Sequence, residues 1–247
     1  MTWSDKKFHL AAAVIVAVLS AAMILEEYIL SGGELQNDGY EYLTYAREIL
    51  SGGWNSALEK MPNMANFPPL FVILIVAGGK CGLSTQLVGR FLNIACILIA
   101  TQGILFCCLK LYKSKVTALM TALLVGSLPK IYLEGCGVIR DPLYWAGEMW
   151  IMYLMLDLTE KCTAEKKRSI FGDILLLTCL CGLSVLIRKE GVFLSFLVYA
   201  ALAVVLYKSK MTKDLLTMSA VFAAGVAFIA FLPYLCGIPF VPLKFLI

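Results

Sequence analysis

The sequence predicts an all-α, polytopic membrane protein: a bundle of about seven transmembrane helices, with two juxtamembrane amphipathic helices in its first outer loop. Three observations carry that prediction. Hydrophobic residues fill 60% of the 247 positions, against roughly 45–50% in soluble chains, and the mean hydropathy is +0.83. Those residues gather into long runs nearly free of charge, which means helices rather than a barrel. The Lys and Arg residues also sort to one side of the runs. The net charge of +4 matters less than that distribution.

The first run, 9–30, follows Lys6-Lys7. Its segment 10–25 has the flanks of a signal peptide, with Ser20-Ala21-Ala22 as a small-residue site. The apolar stretch continues through Ile24 and Leu25, so an uncleaved first anchor is expected. Residues 31–87 then form the first outer loop. Over 40–51, Leu43, Ala46, Ile49 and Leu50 recur at helical spacing, while Thr44, Arg47, Glu48 and Ser51 take the other face. Gly52-Gly53 is expected to stop this helix. The second apolar stretch of the loop, 68–79, opens on Pro68-Pro69 and closes on Gly78-Gly79. Its dozen or so residues suit an interfacial or re-entrant helix.

Six further runs follow: 88–109, 116–133, 143–158, 170–187, 191–207 and 215–236. The run 143–158 is short and must stand nearly upright or in a thin region. With a cytoplasmic N-terminus and 68–79 not crossing, the inner loops hold Lys6, Lys7, Lys110, Lys113, Lys115, Lys161, Lys166, Lys167, Arg168, Lys208, Lys210 and Lys213, twelve of the 21 basic residues. That is the asymmetry the positive-inside rule expects. If 68–79 crossed, every later loop would invert.

The same topology brings Asp38, Arg140-Asp141-Pro142 and Arg188-Lys189-Glu190 to one side. Each has a bland reading beside a functional one. Asp38, followed by Tyr40 and Glu41 at the start of an amphipathic helix, is a solvated acid, an N-cap or a catalytic carboxylate. Asp141 before Pro142 is a good helix start in its own right. Arg188 and Lys189 suit bilayer anchors that snorkel. They equally suit a phosphate, with Arg making a forked contact and Lys a point charge.

Other chemistries find little support. Nine cysteines lie mostly within apolar runs without a CxxC pair, and the single His9 completes no metal site. No glycine-rich nucleotide loop is evident, and nothing points to nucleic acid. Among ionisable residues, only Glu148 and Asp173 are expected to intrude into the spans, which favours surface chemistry over a transport path.

The order of motifs resembles the GT-C superfamily of membrane glycosyltransferases, close to the protein O-mannosyltransferase and lipid A aminoarabinose transferase branch. The residues are Asp38, Tyr42, Leu43, Ala46, Ile49, Gly52 and Trp54 in the first-loop helix, then Pro68-Pro69-Leu70. Gly82, Ser84 and Arg90 follow, then Arg140-Asp141-Pro142-Leu143, and finally Leu186, Arg188, Glu190 and Gly191. The resemblance covers residues 1–247 as one transmembrane module. It implies a sugar donor on polyprenyl phosphate and inversion at the anomeric carbon. It makes Asp38 the base or acceptor-orienting group, with Asp141 across the same cavity and basic residues near it on the phosphate. Arg188 matches a basic position of the family; Lys189 matches none. Phe67 stands where several members carry a basic residue before the prolines. Members usually continue for several more spans, so the chain is expected to be the conserved half of such an enzyme, either truncated or partnered by a separate C-terminal subunit.

The expected activity is therefore transfer of a sugar from a lipid-phosphate carrier to an outer-face protein, lipid or polysaccharide acceptor. Asp38 and Asp141 are the candidate catalytic acids, and Tyr40, Glu41, Arg140, Arg188 and Lys189 the candidate substrate contacts. No cofactor is required by this reading, and a divalent metal is left open. The alternatives are a transporter or flippase of lipid-linked sugars and a catalytically inactive or split-enzyme subunit. The expected location is the plasma (inner) membrane with the site on its outer face, or the endoplasmic reticulum in a eukaryote. The topology is checked by cysteine labelling on a Cys-free background. Positions 59 and 86 should react from outside and position 113 should not; labelling at both 59 and 113 overturns the seven-span count.

Overall fold

A computed structural model describes residues 3–30, 35, 37–112, 114–163, 170–209 and 212–238. Among the described residues the secondary structure is helical and no strand occurs. The elements are α1 (Trp3–Leu30), α2 (Asn37–Lys60), a 3-10 turn (Pro62–Asn66), α3 (Leu70–Lys80), α4 (Thr85–Leu111), α5 (Lys115–Gly126) and α6 (Pro129–Cys136), followed by α7 (Asp141–Thr163), α8 (Phe171–Ile187), α9 (Gly191–Lys208) and α10 (Thr212–Leu235).

Four of these helices are long and apolar enough to cross a bilayer: α1 over Lys6–Leu30, α4, α9, and α10 over Met218–Leu235. The other three apolar runs take different forms. The run 116–133 is split between α5, of 12 residues, and α6, of 8. Pro129 has no N–H to continue a helix and holds Leu128 extended, at φ −66 and ψ 127. The run 143–158 lies within the 23 residues of α7, among Asp141, Glu148, Asp157, Glu160 and Lys161. The run 170–187 is α8, only 17 residues long.

The chain divides into two compact units, Met1–Thr44 with Ala77–Trp150, and Tyr45–Val76 with Ile151–Ile247. In the first unit α1 and α4 run antiparallel, tied by Gln102 Nε2 donating to Ala13 O at 3.0 Å and by Arg90 donating to Tyr28 at the other end. Contacts from α5 and α6 descend α4 in reverse order: Gly126 beside Thr101, Tyr132 clustered with Ile97, and Cys136–Val138 beside Asn93 and Gly89. Despite the break, α5 and α6 together follow α4 along most of its length. The link into α4 is capped at both sides. Gly82 (φ 85) ends α3 with its N–H on Gly79 O, and the Ser84 hydroxyl accepts the Leu87 N–H at 3.2 Å.

In the second unit α8, α9 and α10 pack as three helices, with the C-terminal half of α7 added to their core through Ile151, Leu154 and Leu158. Small residues set the α8–α10 spacing. Gly225 meets Thr178, and a Cβ on Gly182 would stand 2.7 Å from Ile229 Cβ. These two contacts are four residues apart on both helices, as close parallel packing in a membrane requires. The ends of α7 and α8 are joined by Lys161, whose ammonium lies 2.8 Å from Asp157 and 2.7 Å from Asp173. The Asp157 hydrogen bond and then that of Asp173 push its pKa upward.

Gly52-Gly53 ends the first leg of α2 as the sequence suggests. Gly53 takes φ 80 and ψ 177, a conformation open to glycine alone, and the chain bends there into a second leg, 54–60. Two contacts mark the bend: the rings of Tyr45 and Trp54 stand 5.9 Å apart, and Glu48 pairs with Lys60 twelve positions on. A straight helix would separate Glu48 and Lys60 by about 18 Å. Tyr45, Trp54, Met64, Phe67, Pro68 and Val72 close a small core beneath the bend, and burial lifts the Tyr45 phenol to about 12.

The α8–α9 link is a tight turn. The Arg188 N–H bonds Ser184 O at 2.9 Å, and a Cβ on Gly191 would overlap the Ser184 backbone and reach 2.6 Å from Val185 N. Backbone cannot move aside as a side-chain tip can, so Gly191→Ala should cost about 3 kcal/mol. Gly147→Ala, in α7 with open space around it, should be neutral or gain up to about 1 kcal/mol from helix propensity. Unfolding midpoints of both variants in detergent test this pair; equal midpoints would remove the close-approach argument.

Candidate functional site

At one end of the first unit, three chain segments meet around Val138, which is 0% exposed. Gly39, next to Asp38 in the first turn of α2, packs on it: a Cβ there would stand 3.4 Å from Val138 O. Gly89 of α4 packs on its other side, where a Cβ would overlap Val138 Cγ1. Val138 itself lies two residues before Arg140 and three before Asp141. A Cβ at Gly39 would make ordinary contact, whereas one at Gly89 would clash, and the packing on Val138 brings the segment of Asp38 against the segment of Arg140 and Asp141.

The connection carrying Val138 is fastened by Asn93. Its amide is 0% exposed and donates to Gly137 O at 2.8 Å and to Glu134 O at 3.3 Å. These carbonyls close the end of α6, where no further turn of helix exists to use them. Asn93 Oδ1 is buried and takes no donor, which returns part of that gain. One turn earlier on α4, Arg90 Nη1 donates to Tyr28 Oη at 2.7 Å, and the guanidinium carbon lies 5.0 Å from the Tyr28 ring centroid. Beside this pair, the Cys136 thiol donates to Ile24 O at 3.4 Å.

The residues expected from sequence fall as follows. Asp38 is exposed in the first turn of α2, and Asp141, half-buried, opens α7 with Pro142 buried behind it. Both acids therefore complement a helix N-terminus. The Arg140 carbonyl accepts the Tyr144 N–H at 3.2 Å and so starts α7. Tyr40 (59% exposed) and Glu41 point to the surface on the polar side of α2, whereas Tyr42, Leu43, Ala46 and Ile49 are buried as the helical spacing requires.

Arg188 and Lys189 belong to the second unit, at the α8–α9 link. The forked face of Arg188 is turned on Glu190, with Nε 3.3 Å from Oε2 and Nη2 3.4 Å from Oε1. An incoming phosphate would have to compete with that carboxylate for the fork. The expectation did not foresee this, because a contact two residues along requires the non-helical Arg188 backbone (φ −145, ψ 147).

Sequence reasoning passed over Asn93, Tyr28 and Cys136, and named Arg90 only as part of a motif. The signal was present: Arg90 and Asn93 both stand inside the apolar run 88–109, where polar groups are expensive and usually have a task. Among the described residues no group of three His, Cys, Asp or Glu side chains is placed to hold a metal ion. No protein-family model matches the chain, and no curated protein or solved structure matches it.

If the Asn93 amide holds the α6–α7 connection, Asn93→Leu should destabilise the protein by about 2–3 kcal/mol, since two buried carbonyls lose their donor. Asn93→Asp keeps the shape but sets carboxylate oxygen against carbonyl oxygen, and should be at least as damaging. Unfolding in detergent measures both. A wild-type midpoint for the Asp variant would show that the two hydrogen bonds carry nothing.

Proposed function

We propose that this chain is a membrane glycosyltransferase that moves a sugar from a polyprenyl-phosphate carrier to an outer-face acceptor, as its resemblance to the GT-C superfamily implies. The observation that carries the reading is the meeting of the Asp38 and Arg140–Asp141 segments across Val138. Two acids and a cation from different parts of the chain are gathered at one end of a helical unit. Asp38 is the base: its carboxylate takes the proton of the acceptor hydroxyl. The acceptor oxygen then attacks the anomeric carbon from the face opposite the phosphate. The C–O bond to phosphate breaks, its electron pair leaves with the polyprenyl phosphate, and the configuration inverts. Asp141 orients the acceptor, while Arg140 neutralises the leaving phosphate. Tyr40 and Glu41 border the acceptor side.

In the membrane the reading uses seven crossings. They are α1, α4, the interrupted pair α5–α6, α7, α8, α9 and α10, with α2 and α3 lying at the surface. The interrupted pair counts as one crossing because its contacts follow α4 along its length. The distribution of Lys and Arg then sets α2, the start of α7 and the α8–α9 link on the outer face.

A second reading, a transporter of the lipid-linked sugar, is favoured by the break at Ser127-Leu128. A cavity of about 330 Å³ lies there between α1, α5 and α6, reached by Ser20, Ser127 and Tyr132, and interrupted helices near the midplane line transport sites. Transfer and transport are separated by one variant. Asp38→Asn keeps the shape of the side chain and removes its basicity. Transfer should fall by about 10²–10⁴-fold with no loss of folded protein. Wild-type transfer by purified Asp38→Asn would remove the base assignment. Movement of a lipid-linked sugar across proteoliposomes, unaffected by Asp38→Asn, would favour the transporter.

A further inference from the structure

We propose that the cavity between α1, α5 and α6 is a binding site for a long-chain alcohol, held by its hydroxyl at the break between α5 and α6. The site is independent of the transferase reading, and it gives the cavity a resident ligand in place of a transported one. The space is about 330 Å³ and is walled by Val16, Met23 and Leu123, with no charged side chain in its lining among the described residues. Leu19, Met120 and Leu124 at its rim are exposed, so a hydrocarbon chain enters sideways. Ser20 stands about 15 Å from the Leu30 end of the span-length segment Lys6–Leu30. In a hydrocarbon core about 30 Å thick, that depth is far from water.

Ser20, Ser127 and Tyr132 supply the polar side chains of the lining, and the direction of each hydroxyl proton follows from its neighbours. Thr101 donates to the Leu98 carbonyl at 3.0 Å, and a carbonyl can only accept. The Thr101 oxygen is therefore the acceptor of Ser20, 3.4 Å away. Ser20, its one proton so used, accepts from Tyr132. Ser127 sends its own proton to the Leu124 carbonyl at 2.9 Å. Every hydroxyl proton is thus committed within the protein, and what remains for the cavity is lone pairs on Tyr132 and Ser127. Tyr132 and Ser20 are 4% and 2% exposed, so the relay is fixed by packing.

Acceptors without charge select their ligand. An ester, ether or ketone brings only further acceptors and sets oxygen against oxygen. An ammonium would be buried with no counter-charge. A water meeting both acceptors would leave the apolar wall to be covered by something else. An alcohol supplies the missing proton, and its chain covers the wall. In return its hydroxyl gains partners that lipid tails do not offer. Such a ligand touches Ser127 before the break and Tyr132 after it, the two pieces that Pro129 separates.

The test is photolabelling of the full chain in phosphatidylcholine nanodiscs by 1-tetradecanol carrying a diazirine at mid-chain, with plain 1-tetradecanol or its methyl ether as competitor. The ether keeps the chain and the oxygen but lacks the proton. In wild type the label should fall on residues 16–23 and 120–127, and the alcohol should compete about tenfold better than the ether. Tyr132→Phe combined with Ser127→Ala should bring that ratio close to one. Ser127→Ala alone, at an exposed position, should lower it about threefold and keeps the test if the double variant fails to fold. Leu19→Trp fills the cavity from its rim and should suppress the labelling. Equal competition by alcohol and ether in wild type overturns the proposal. So does the wild-type ratio retained in both hydroxyl variants, or wild-type labelling in Leu19→Trp. None of these readouts depends on sugar transfer, so the transferase reading stands or falls separately.

Discussion

The buried amide of Asn93 is the contact on which the rest of the site depends. Pro129 interrupts what would otherwise be a continuous helix, and the 8 residues of α6 beyond it are too few to hold a helix alone. Two hydrogen bonds from one side chain, made where no water competes, fix the far end of that short helix to α4. Val138 then falls between Gly39 and Gly89, and Arg140 and Asp141 follow within a turn. An apolar residue at 93 would fill the space and leave the α6–α7 connection without direction.

How far this was legible in the sequence varies with the kind of force involved. The buried face of α2 could be read directly, because Leu43, Ala46 and Ile49 follow the period of the helix and solvent sorts them. The grouping of Asp38 with Asp141 followed from counting Lys and Arg, a rule that reports topology without reporting contact. The stop at Gly52-Gly53 could be read as well. The second leg beyond it was hidden, because only the Glu48–Lys60 and Tyr45–Trp54 contacts show where it packs. The division of the run 116–133 was also obscured, since hydropathy averages over Pro129. Arg90 and Asn93 were overlooked because a window of hydropathy dilutes two polar side chains among many apolar ones.

The structure also gives local reasons for several motif positions. Gly82 ends one helix, Ser84 caps the next, and Gly191 allows the chain to pass the backbone of Ser184. Those residue types serve any helical hairpin of the same geometry, whatever its chemistry. Asp38 at a helix N-terminus, Arg90 on Tyr28 and Arg140 at the start of α7 have local contacts of their own, so a functional argument for them has to rest on more than position. Arg188 belongs between the two groups: its backbone closes α8, and its guanidinium is engaged by Glu190.

The bend at Gly53 changes the reach of this arm. As a single rod, the 24 residues of α2 would span about 36 Å. Broken at Gly53, its longer leg spans about 24 Å, and the shorter leg is tied back to it through Tyr45 and Glu48. A lone rod is free to roll about its own axis, whereas a bent one carries its own lever against rolling.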